Sequence, residues 1–274
     1  MEVTGPVVDR RPPRESAASA VRSFARRDRS SGPTWASGVR IEAADLPRAA
    51  VQLVRPRDVV EVALPGDRWD ELSSSNRAFD LVRGRRVVWS VPLDVQRTPL
   101  EEIASGRHDD AWTALGQLAA RDGGQSVVRI VLPAGQEAER CAAAFRRAAV
   151  AVRRTPGVAV EWAVREGASP EVVAAAWPGD DVVDVVGVPL SRKPSWAAQV
   201  AGPGGLADWS TWARAHRRRL ALHWELDEAV DAERVERVAD WLDVSARTSV
   251  LAYDSVAPTS ETRSDALATY RELW

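Results

Sequence analysis

Eight apolar runs of strand length recur along the chain, each followed by a segment of helical spacing or a helical turn. They are "GVRIEA" (38–43), "DVVEVAL" (58–64), "RVVWSVP" (86–92), "SVVRIVL" (126–132), "VAVEWAV" (158–164), "VVDVVGVP" (182–189), "LALHWEL" (220–226) and "SVLAYDSV" (249–256). Most are rich in Val, Ile and Leu with little strict alternation, as parallel strands covered on both faces read. Between them, "RWDELSSSNRAFDLV" (68–82) reads as helix, and "RHDDAWTALGQLAARDGG" stops on Gly123 and Gly124. A third segment sets Cys141, Phe145 and Ala148 on one helical face. "LADWSTWARAHRRR", "DAERVERVADWLDV" and "SDALATYRELW" supply the last three helices. This repetition predicts an α/β fold, a single-domain (β/α)8 TIM barrel over residues 38–274. An open doubly wound sheet would call for a Gly-rich turn after the first strand, and the chain has none. Residues 1–37, rich in Arg, Ser and Pro, are expected to form a poorly ordered N-terminal segment.

Charge narrows the range of partners. The 274 residues carry 37 basic and 39 acidic side chains, a net charge of −2, which makes no electrostatic case for nucleic acid or an anionic membrane. The lone Cys141 excludes an internal disulfide and a Cys-based zinc site. His108, His216 and His223 show no metal-ligand spacing, so no metal is expected. No apolar run approaches the roughly 20 residues that span a bilayer, so no membrane span is expected. The N-terminus lacks the continuous apolar region of a signal peptide. Two compartments stay open: the cytoplasm, or the exterior after removal of a signal.

The segments "DVVEVALPGDRWDELSSSNRAFDLV", "VVWSVPL", "GRHDDAWTALGQLAARDGGQSVVRI", "FRRAAVAVRRTPGVAVEW", "WPGDDVVDVVGV", "PSW" and "LAYDSV…ALATYRELW" follow one another in an order and spacing that resemble glycoside hydrolase family 26, the β-mannanase-like enzymes, in their actinobacterial form. The resemblance runs from about residue 38 to the C-terminus and implies a retaining mechanism on a β-linked polysaccharide, with no cofactor. Such a mechanism needs two carboxyl groups about 5–5.5 Å apart, one protonating the leaving oxygen and one attacking the anomeric carbon. The family's acid is a Glu at the end of strand 4. Here Arg129 matches the motif, but Pro133 stands at the Glu position and cannot carry a proton. After strand 5, Ala163, Val164 and Arg165 replace polar residues. After strand 6, Ser191 takes a Tyr position and Arg192 an Asp position.

Strand 7 holds the remaining candidate nucleophile. A gap-free match sets Trp224 on the nucleophile and Glu225 on the following Trp. The polarity pattern says otherwise: Leu220, Leu222 and Trp224 suit a helix-packed outer face, whereas Ala221, His223 and Glu225 suit the barrel mouth. Polarity is preferred here, because an unpaired carboxylate among helices is costly. Glu225 is therefore the candidate catalytic carboxylate, expected to be neutralised by one of Arg129, Arg165 and Arg192. Glu161 within strand 5 reads as a buried ion-pair partner of an Arg, and His223 as a satisfied structural histidine. Trp196, Trp224, His223 and Arg192 are the candidate carbohydrate contacts. Half of the 12 Trp, namely Trp69, Trp112, Trp209, Trp212, Trp241 and Trp274, fall on predicted helices and read as packing residues. Asp180 and Asp181 precede strand 6, at the stability end of such a barrel.

Chain-wide matches beside lost chemical positions imply a barrel without glycosidase activity, acting in polysaccharide metabolism as a carbohydrate-binding or interaction module whose partner is a polysaccharide, an oligosaccharide or a protein. The alternatives are an active retaining β-glycosidase using Glu225 with a relocated acid, and unrelated chemistry on a reused barrel.

Overall fold

The computed structural model describes residues 33, 35–45, 59–74, 80–82, 84–121, 126–135, 137–190 and 195–274. Eight parallel strands close into a barrel in sequence order: β1 Ser37–Glu42, β2 Val59–Ala63, β3 Arg86–Pro92, β4 Ser126–Val131, β5 Ala159–Ala163, β6 Val185–Pro189, β7 Arg219–Leu226 and β8 Leu251–Pro258. Each lies within three residues of the run that predicts it. The outer layer holds α1 Glu71–Ser74, α2 Leu100–Ala104, α3 Asp109–Ala119, α4 Ala138–Val152, α5 Pro170–Val173, α6 Trp196–Ala201, α7 Leu206–Ala215, α8 Ala232–Arg247 and α9 Ser264–Leu273. The stop expected at Gly123 and Gly124 lies outside the described residues, and α3 ends at Ala119. Among the described residues no helix is long and apolar enough to cross a membrane.

Strand alternation sorts the side chains into two layers. Outward residues such as Trp89, Ile130, Trp162, Val186 and Leu220 join one continuous core with the helices. Inward residues Ala36, Val59, Val88, Val127, Ala159, Val185, Ala221, Ala252 and Tyr253 form a separate cluster that fills the barrel floor. The strands thus read as nearly unbroken apolar runs because both faces are covered.

Strand β8 breaks the alternation. Leu220 pairs with Leu251 but Ala221 pairs with Tyr253, so Ala252 is an extra residue in the ladder. Both Ala252 and Tyr253 enter the interior cluster, and the following residue, Asp254, meets the outer layer. There it accepts hydrogen bonds from the indoles of Trp35, at 2.8 Å, and Trp224, at 2.9 Å. Trp35 and Ala36 precede the expected start of the barrel, yet both are buried in it, so the ordered fold begins earlier than Gly38. The rest of the N-terminal segment, residues 1–32 and 34, lies outside the described residues.

The tryptophans follow their expected role. Trp112, Trp162 and Trp209 are fully buried, and Trp162, Trp177, Trp209 and Trp212 pack edge to face or stacked beneath α7. Asp181 makes a two-pronged pair with Arg146, and Asp180 accepts from His216 and Trp177. Both aspartates therefore act in structure.

Candidate carbohydrate cleft

Four strands each place one buried ionisable residue inside the barrel: Glu61 on β2, Arg129 on β4, Glu161 on β5 and His223 on β7. All four point inward and meet above the apolar floor, at 6% exposure or less. Arg129 Nη1 donates to Glu61 Oε1 at 2.5 Å, and its Nε lies 3.2 Å from Glu161 Oε1. His223 Nδ1 faces Glu61 Oε2 at 3.0 Å and Nε2 faces Glu161 Oε1 at 2.8 Å. The extra residue in β8 lets the Tyr253 hydroxyl donate to Glu161. With a carboxylate on each ring nitrogen, His223 is held as the imidazolium. Two cations then balance two anions, and that balance makes full burial tolerable.

Electrostatics match the geometry. Burial pushes the Glu61 carboxyl up, but Arg129 and then His223 outweigh it and hold it well below the usual range. Burial and Arg129 push His223 down, while Glu161 and Glu61 pull it up, and the net direction is up. A raised imidazole contributes stability that is fully present below the ordinary value of 6.5 and is lost as pH rises through the higher folded value. A depressed carboxyl contributes stability present above 4.5 and lost as pH falls through its lower folded value. Thermal midpoints should therefore fall on the alkaline side as His223 loses its proton. In His223→Gln that alkaline limb should flatten, and an unchanged limb would assign it to other groups.

This network floors a cleft of about 520 Å³ at the C-terminal mouth of the barrel. The walls include Arg40, Glu166, Ser195, Trp196, Glu225, Asp227, Asp231, Arg234 and Arg237. Glu225, the inward residue that follows His223, is exposed at the rim. The corresponding inward positions at the ends of β4, β5 and β6 are Val131 with Pro133, Ala163 and Pro189. Among the described residues no group of three or more His, Cys, Asp or Glu is placed to hold a metal ion.

Structural comparison finds the same architecture among mannanases. The endo-β-1,4-mannanase of Cellulomonas fimi, of glycoside hydrolase family 26, superposes with a TM-score of 0.66 at 13% identity, over 94% of this chain and 74% of that one. The family 26 β-mannanase of Bacteroides ovatus gives 0.59 at 13% identity, over 94% and 92%. A Bacillus subtilis mannanase gives 0.51 at 12% identity, over 94% and 90%. The fold is family 26 mannanase-like. No protein-family model matches the sequence, and no curated protein matches it.

Within this family 26-like barrel the expected residues are distributed as follows. Glu225 takes the inward orientation that polarity indicates, and the gap-free alternative with Trp224 inward is set aside. Trp224 borders the cleft, but its ring packs against Tyr270 and Trp274 and its indole nitrogen bonds Asp254. At 4% exposure it offers no face to a sugar. Trp196 begins α6 at the cleft wall. His223 lies in the floor rather than at the rim. Arg192 and Ser191 lie outside the described residues. The anticipated pairing of Glu225 with a strand-end Arg is not formed among the described residues, because Arg129 is engaged one layer deeper by Glu61 and Glu161. Three participants were missed in the sequence: Glu61, Tyr253 and Arg234. For Glu61 a signal existed, since it is the lone charge in an apolar run like Glu161.

Proposed function

We propose that this barrel binds carbohydrate without hydrolysing it, serving polysaccharide metabolism as a binding or interaction module. The carrying observation is the makeup of the mouth. The inward ends of β4, β5 and β6 hold Val131, Pro133, Ala163 and Pro189, none of which can donate a proton to a leaving oxygen. Glu61 and Glu161 are buried in ion pairs beneath the cleft and are unavailable for acid–base work. The cleft itself is open, polar and flanked by Trp196, features suited to a sugar chain.

A second reading, an active retaining glycosidase, draws on the exposed, inward-facing Glu225. Calorimetry with mannohexaose and a rate assay on an activated aryl β-mannoside separate the two. The expected result is oligosaccharide binding with no turnover above the uncatalysed rate. Turnover lost in Glu225→Gln would establish a live nucleophile and overturn the proposal.

A further inference from the structure

Arg234 lies in the first turn of α8 and reaches into the cleft. Its guanidinium carbon sits 5.2 Å from the ring centroid of Trp196, and one amino group donates to Gln199 Oε1 at 3.2 Å. Among the described residues no carboxylate lies within ion-pair distance of it. The other cleft charges differ. Arg237 bonds Glu233, Arg129 is bound in the floor, and Arg40 lies 3.5 Å from Glu42 and 4.0 Å from Glu61. Asp231 caps α8 by accepting the Arg234 backbone N–H, and Asp227 accepts from Ala229. Arg234 is therefore a partly buried cation, oriented by an aromatic ring, that no described carboxylate pairs with directly. Burial accordingly lowers its pKa, with Asp231 partly opposing and Arg237 adding to the effect.

A guanidinium in this condition gains most from a planar anion that can accept two parallel hydrogen bonds. The surroundings limit that anion to a single charge. Glu225, Glu166, Asp227, Asp231 and Glu233 share the cleft and would repel a phosphate dianion. We propose that the cleft takes an acidic glycan, in which the carboxylate of a uronate sugar docks on Arg234 with Trp196 fixing the guanidinium. This rests on the carbohydrate-binding reading and names the substrate class within it.

The test compares two oligosaccharides of equal length and linkage, mannohexaose and the same β-1,4-linked chain with one residue replaced by mannuronate, by calorimetry at low salt, on the wild type and Arg234→Gln. The wild type should favour the acidic chain by about tenfold or more. That preference should shrink with added salt and fall to near one in Arg234→Gln. Arg234→Lys, which keeps the charge but loses the fork, should recover part of it. Equal affinity for the two chains, or a preference indifferent to Arg234, would sink the acidic-glycan assignment while leaving carbohydrate binding in place. Binding of neither chain by the wild type would remove both.

Discussion

Replacing Arg129 with leucine should destabilise the fold by about 3–5 kcal/mol, read as a lower midpoint in urea denaturation. The guanidinium stands between Glu61 and Glu161, both fully buried. Without it two carboxylates face one imidazolium in a dry interior, and one negative charge is left uncompensated. Adding Glu61→Gln to Arg129→Leu removes the surplus charge, so the double variant should be more stable than the sum of the two single losses predicts. Strict additivity would mean that the four groups do not act as one balanced unit.

Gly187→Ala should be similarly damaging for a different reason. A Cβ at this position on β6 would come within 1.9 Å of Glu161 Oε1 and 2.8 Å of its carboxyl carbon. Neither side can give way cheaply. Glu161 is held by Arg129, His223 and Tyr253, and the Gly187 backbone is fixed in register with Ala163 on one side and Ala221 on the other. The expected loss is about 2–3 kcal/mol, seen as a fall in melting temperature of about 4–10 °C. An unchanged melt would show that the carboxylate can move aside, and that the network is looser than its contacts imply.

The fold was legible because burial of parallel strands on both faces imposes a composition, and eight such runs survive in the sequence. The facing of β7 was legible too, since Ala221, His223 and Glu225 differ in character from Leu220, Leu222 and Trp224. The site was less so. Register alone could not reveal Tyr253, because the extra residue at Ala252 reverses the parity of everything after it. Trp224 suggests a sugar platform by residue type, but only the outer packing of Tyr270 and Trp274 shows that its faces are taken. Arg234 reads as an ordinary charge in a helix's first turn. Its significance depends on which carboxylates lie near it in space, and chain order does not carry that information. Arg129, one of three Arg expected near strand ends as partners for Glu225, lies one layer deeper, where Glu61, 68 residues earlier, holds it.

The buried quartet also bears on how the molecule comes apart. Glu61 and Arg129 belong to the first four strands, while Glu161, His223 and Tyr253 belong to the last four. A half-barrel of either kind would present part of the set to an open edge, with the Arg129–Glu161 and His223–Glu61 links cut. Each half keeps one cation–anion pair, Glu61 with Arg129 or Glu161 with His223, but only the closed ring adds the two cross-links and shields both pairs from water. The floor of the cleft thus doubles as a clasp that couples the two halves, and it favours all-or-none unfolding over stepwise release of either one.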